Sequence, residues 1–190
     1  MEAQHAKGLI LDLRDNPGGL LSNAIEISNM FLDSGNVVST VDRDGYKTPA
    51  VSKGDPIWRK PLVVLINKNS ASASEITSGA LHDNGRATLV GQKTFGKGLV
   101  QGINRLDDGS GINITIARYL TPADTDIHKK GIAPDEAVEI SAEDKTQGPW
   151  WNDHSRGAVR TAGDGKDLQL KRAMEVLHKK IIDAGQIAIK

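Results

Sequence analysis

The chain has 190 residues, 38% of them hydrophobic, with 24 basic side chains balancing 24 acidic ones and no cysteine. That length and composition suit one domain with a small appendage and exclude a disordered or fibrous protein. Zero net charge offers no global field to draw the chain to nucleic acid or an anionic membrane, and the lack of cysteine excludes disulfides, thiolate metal sites and cysteine nucleophiles.

Met1 to Gly8 has no basic start followed by a long apolar run, so it reads as neither signal peptide nor membrane anchor. A strand is predicted almost at once, over Leu9-Ile10-Leu11-Asp12-Leu13, as expected of a piece of a longer protein. Asp15-Asn16-Pro17-Gly18-Gly19 closes that strand in a turn. Leu21, Ala24, Ile25, Ser28 and Leu32 then share one helical face until Ser34-Gly35 stops it. Val37 to Pro56 is polar with weak strand cues and reads as a hairpin or flap.

Leu62-Val63-Val64-Leu65-Ile66 is a second buried strand. The tract Ser70-Ala71-Ser72-Ala73-Ser74-Glu75 leads from it into a helix through Ile76, Ala80 and Leu81 that ends at Asn84-Gly85. Ala87 to Val90 is a third strand, Leu99-Val100 reads as strand, and Ile112, Ile114 and Ile116 alternate with Asn113, Thr115 and Ala117 as a half-exposed strand. Ser141 to Asp167 turns polar and reads as a linker or arm. A last helix is predicted through Leu170, Ala173, Met174, Leu177 and Ile181, with Gly185 as its stop. Strands alternating with helices imply an α/β domain.

Ser72 and Lys97 carry the most chemical information. A serine hydroxyl is a poor nucleophile until a base removes its proton, and a lysine can do so only where a dry, apolar or cation-crowded pocket drives its ammonium towards neutrality. Ser72 lies at a strand-to-helix junction, where the following amide, that of Ala73, could stabilise an oxyanion, and a Gly18-Gly19 turn could supply a second. Each motif also has a plainer reading. Ser72 with Glu75 three residues on is a capping box, and the Asp15–Gly19 tract is a turn that needs glycine. Gly91 to Lys97 matches the first seven positions of a phosphate-binding loop, but Gly98 stands where Ser or Thr should hold magnesium, and strand rather than helix follows. His82-Asp83 tempts towards a triad; neighbours on one helix point about a hundred degrees apart, so Asp83 is not expected to orient His82. The remaining histidines lack ligand spacing, and neither a metal nor a cofactor is expected. Trp150-Trp151 reads as a packing patch of the arm.

Five blocks in order, Leu11-Asp12-Leu13-Arg14-Asp15-Asn16-Pro17-Gly18-Gly19, Ser70 to Glu75, His82 to Ala87, Thr94-Phe95-Gly96-Lys97-Gly98-Leu99-Val100-Gln101 and Gly131-Ile132-Ala133-Pro134-Asp135, resemble the C-terminal processing (tail-specific) serine proteases of the S41 family. The resemblance spans about Leu9 to Ile140. It implies a crotonase- or ClpP-like layered α/β fold of ββα units, with residues 1–140 as the protease core and 141–190 as arm and helix. The PDZ domain and N-terminal core that family members carry ahead of the Leu9 strand are not in this sequence. By position the resemblance makes Ser72 the nucleophile, Lys97 the general base, and Gln101, one turn beyond, the residue that holds the lysine. Ala73 and Gly18 or Gly19 would be the oxyanion donors, and Asp83 a structural support. It further implies protein or peptide substrates with unstructured C-termini, no nucleic acid or membrane insertion, and a place outside the cytoplasm. A silent fragment that binds peptides through the same fold is the alternative from another class.

Overall fold

The computed structural model describes residues 5–139 and 167–187. The elements are, in order, β1 (Leu9–Asp12), α1 (Leu21–Asn29), β2 (Asn36–Asp42), β3 (Lys47–Val51), β4 (Leu62–Ile66), α2 (Ala73–Asp83), β5 (Thr88–Gly91), β6 (Leu99–Arg105), β7 (Gly111–Leu120), β8 (Glu136–Ala137) and α3 (Leu168–Ile187). They form two four-stranded sheets. One is parallel, in the order β1-β4-β5-β8, and the other antiparallel, in the order β3-β2-β7-β6.

β4 explains the layering. A parallel strand inside a sheet must be covered on both faces, so its sequence is an unbroken aliphatic run. All five of its residues are fully buried. Because side chains alternate, Leu62, Val64 and Ile66 point into the larger core, with Val37, Ile76, Ala80 and Leu81, whereas Val63 and Leu65 join Val90 and Ala173 on the opposite face. Each such side chain contributes about 1.5–3 kcal/mol of burial before entropy is charged against it. The layers are therefore α3, the parallel sheet, α1 with α2, and then β2 of the second sheet, which is the layered α/β arrangement expected.

α3 is held at its start as well as along its face. Arg14, just past β1, forks onto Asp12 (2.7 Å) and onto both carboxylate oxygens of Asp167 (2.9 Å each), and Gln169 donates to the Val138 carbonyl at 2.9 Å. Desolvation alone would lower the guanidinium pKa, but the paired carboxylates raise it well above its usual value.

Several boundaries differ from the sequence reading. The 37–56 segment is indeed a hairpin, β2 with β3. α1 stops at Asn29, while Phe31 and Leu32 stay buried in the turn beyond it. Leu13 falls outside β1, although its N–H still donates to Leu65 O at 2.9 Å. β7 is longer than its isoleucines suggested, and Leu99-Val100 is only the start of β6. α3 runs through Gly185, where an added side chain would meet nothing within 4 Å among the described residues. Most of the Ser141–Asp167 arm, with Trp150-Trp151, lies outside the described residues.

Candidate active site

After β4 the chain makes a tight loop before α2. Ser70 is fully buried there; its hydroxyl donates to Leu13 O at 2.7 Å and accepts from Asn67 N at 2.9 Å, so the loop is tied to the end of β1. Ser72 then takes φ +56°, ψ −118°, a conformation that costs a non-glycine residue roughly 1–3 kcal/mol. A strained serine at a sharp strand-to-helix turn is a device by which hydrolases lift a hydroxyl clear of the backbone. Around it, Ser72 N is taken by Glu75 (2.9 Å), Ser74 N by Ala71 O (3.2 Å), and Glu75 N and Ile76 N by Ser72 O (2.9 and 3.0 Å). The amide of Ala73 has no such partner among the described residues, at the helix end where anions are favoured.

Glu75 does more than cap a helix. Fully buried, its carboxylate accepts from Ser72 N (2.9 Å), Thr94 Oγ1 (2.5 Å), Gly96 N (2.7 Å) and Lys97 N (2.8 Å). The loop carrying Lys97 is thus fastened to the helix start carrying Ser72 by one side chain. Tyr119, from the end of β7, lies on the other side: its hydroxyl donates to Ser72 O (3.2 Å) and to Lys97 O. Its phenol pKa is pushed far above the ordinary range, by desolvation first and by the charge of Glu75 second.

The Asp15–Gly19 turn docks against the same loop. Asp15, at φ +57°, accepts from Asn67 and Asn69 side chains at 2.9 and 2.7 Å, and Ala71 N donates to Asn16 O at 3.0 Å. Gly18, at φ +93°, packs so closely that a Cβ there would lie 2.5 Å from Ala71 O, 2.7 Å from Ala73 N and 2.9 Å from Ser72 Cβ. Its N–H is occupied by Asn16 Oδ1 at 2.9 Å. Gly19 differs on both counts: a Cβ would meet nothing within 4 Å, and its amide has no partner among the described residues.

One cavity of about 350 Å³ brings Gly19, Ser72, Ala73, Lys97 and Gln101 together, with Leu20, Leu21, Ile76, Leu99 and Val100 as apolar wall and Tyr119 at its back. Gly18 abuts it without lining it. Gln101 reaches it from strand β6, not from a helical turn. Lys97 and Gln101 are exposed, so the dry surrounding that a neutral lysine calls for is not provided by the described residues themselves. β6 following Lys97 also removes the helix that a phosphate-binding loop needs.

Asp83 is elsewhere, at the far end of α2. Contrary to the sequence reading, it does bond its neighbour: His82 Nδ1 lies 2.8 Å from Asp83 Oδ1, because the two side chains bend towards each other although their Cα–Cβ bonds diverge. The other ring nitrogen faces Asp135 at 3.1 Å, so both are engaged by carboxylates and no triad with Ser72 results. Asp83 also accepts from Ala123 N at 3.0 Å, tying α2 to the turn after β7. Glu75 and Tyr119 escaped the sequence reading as site residues. The only signal for Glu75 was its capping spacing, and Tyr119 sits in a strand whose other residues look half exposed.

A model for peptidase family S41 matches residues 1–138. A carboxyl-terminal-processing protease of Synechocystis sp. is 55% identical over 139 residues, 73% of this chain and 33% of its own length. Carboxyl-terminal-processing peptidase 3, chloroplastic, of Arabidopsis thaliana is 50% identical over 137 residues, 71% of this chain and 26% of its own. Among solved structures, the photosystem II D1 C-terminal processing protease superposes with a TM-score of 0.68 at 43% identity, covering 73% of this chain and 36% of that one. The chain spans about a third of the length of the curated relatives it matches.

Proposed function

The chain belongs to peptidase family S41, and from that premise we propose that it is the catalytic part of a serine endopeptidase that cuts proteins near their C-termini through Ser72 and Lys97. The observation that carries the reading is the meeting, in one cavity, of a strained helix-start serine, a lysine and two amides without other partners among the described residues.

In this mechanism the Lys97 amine, in its neutral form, takes the Ser72 proton as Oγ attacks the scissile carbonyl. The tetrahedral oxyanion is held by the amides of Ala73 and Gly19. Gly18, its own amide already engaged by Asn16, acts by letting the turn approach. Collapse breaks the C–N bond, and the lysine ammonium passes its proton to the leaving amine. Water, deprotonated in turn by Lys97, then hydrolyses the Ser72 ester. The Gln101 carbonyl accepts from the lysine and aims it without adding a negative charge, which would hold the ammonium protonated. A peptide filling the cavity supplies the apolar cover that Lys97 lacks in the free chain. Asp83 supports the scaffold from a distance. The substrates on this reading are proteins with unstructured C-terminal segments, met outside the cytoplasm.

The test is cleavage of an unstructured reporter peptide with an apolar C-terminus. The parent rate is indifferent to a chelator, and Ser72→Ala and Lys97→Ala each lower kcat by about 10⁴-fold or more. Cleavage that survives Ser72→Ala overturns the proposal.

A further inference from the structure

Tyr119 is 2% exposed and belongs to the main core, where an aromatic ring needs no explanation beyond packing. Its hydroxyl needs one. A buried phenol must find partners, and this one finds two carbonyls, those of Ser72 and Lys97, the two residues to which the chemistry is assigned. They are 25 positions apart in sequence and come from separate loops. Glu75 already accepts from the N–H of the same two residues, at 2.9 and 2.8 Å. One carboxylate therefore holds both amides, while the single phenol proton is shared between the Lys97 carbonyl and, at 3.2 Å, the Ser72 carbonyl, which also accepts from Glu75 N and Ile76 N. Tyr119 is itself pinned to this loop, since its own N–H donates to Gly98 O at 3.0 Å.

We propose that Tyr119 is a positioning residue for the peptidase reaction, its hydroxyl setting the separation of Ser72 from Lys97. The inference rests on the dyad reading above. A raised phenol pKa fits this use, because the hydroxyl keeps its proton and so remains a donor. Without the hydroxyl, the Lys97 carbonyl has no other hydrogen-bond partner among the described residues, and the loop is free to move the amine away from the serine. A displacement near 1 Å is worth about 10²-fold in rate.

The experiment is Tyr119→Phe, which keeps the ring, assayed on the reporter peptide beside the parent, Ser72→Ala, Lys97→Ala and the double variant Tyr119→Phe/Lys97→Ala. The expected result is a kcat lowered about ten- to a hundredfold with KM within about threefold, and a double variant no slower than Lys97→Ala alone, as for residues that act as a unit. An unchanged kcat, or a loss fully additive with Lys97→Ala, overturns the proposal while leaving the dyad intact. Survival of activity in Ser72→Ala instead overturns the dyad reading beneath it. Should Tyr119→Phe fold poorly, its kcat is referred to the active fraction titrated with a serine-acylating reagent, and a kcat per active site equal to the parent's overturns the proposal.

Discussion

Replacing Gly18 by Ala tests the geometry of the turn more sharply than removing any side chain, because Gly19→Ala provides a matched control one residue away. At Gly18 the added methyl would sit 2.5 Å from Ala71 O, 2.7 Å from Ala73 N and 2.9 Å from Ser72 Cβ, with φ at +93°. The positive φ alone costs an L-residue roughly 1–2 kcal/mol. Three contacts below 3 Å with backbone or a Cβ atom have no flexible tip that can yield, and relieving them adds roughly 1–3 kcal/mol of overpacking strain. The sum is a loss of about 2–5 kcal/mol in stability. The strain is relieved by parting the turn from the Ser72 loop, which withdraws one oxyanion amide, so kcat falls by about 10²–10³-fold as well. At Gly19 the methyl meets nothing within 4 Å. Gly19→Ala is expected to leave stability unchanged or raise it by about 0.4–1 kcal/mol through the unfolded chain, and to keep kcat within about tenfold. Urea denaturation and steady-state cleavage measure both. A Gly18→Ala protein as stable and active as the parent, or a Gly19→Ala protein as damaged as Gly18→Ala, would refute the reasoning.

Glu75→Gln keeps the shape but replaces one acceptor oxygen by an NH2 that faces donors instead. With four hydrogen bonds converging on the carboxylate, and about 1–3 kcal/mol for each buried donor left unmet, the urea midpoint should report a loss of about 2–5 kcal/mol; a change below about 0.5 kcal/mol contradicts the clamp. His82 gives a pH dependence of definite sign. Burial lowers its pKa, but the bond to Asp83 and the charge of Asp135 outweigh this and raise it above 6.5. The stabilisation is therefore complete below pH 6.5 and disappears as pH climbs through the raised value. Because the ring is more than a third exposed, the effect is small, on the order of 0.5 kcal/mol. Denaturant midpoints should decline across that window in the parent and not in His82→Gln.

The aliphatic run of β4 was legible because a strand buried on both faces has only one kind of sequence. Ser72, Lys97 and the Asp15–Gly19 turn were legible because their chemistry or conformational freedom is rare. Glu75 was half legible: its spacing from Ser72 announced a cap, but three of its four partners arrive from a loop 19 to 22 residues later, which no local pattern encodes. The choice between Gly18 and Gly19 depends on where Asn16 points its side chain, and the exposure of Lys97 on which elements surround the cavity. Gly185 misled because an exposed glycine near a helix end is tolerated at a penalty of about 1 kcal/mol and does not have to stop it.

The docking of α3 also orders events in time. Arg14 and Asp167 are 153 positions apart, and among the described residues every group that lines the cavity lies before that last helix in the sequence. As the chain emerges from the ribosome, the strands and loops that assemble Ser72 and Lys97 are available while Val63, Leu65 and Val90 still have no Ala173 against them. That bare aliphatic face is the surface by which a growing chain would stick to its neighbours. Closure over so long a span is entropically mild, each doubling of length adding only about 0.6 kcal/mol, so sealing awaits synthesis of the helix more than it awaits a barrier. A ribosome that stalls before Leu168 would hold the residues of the cavity on a sheet with one aliphatic face uncovered, a chain prone to aggregate.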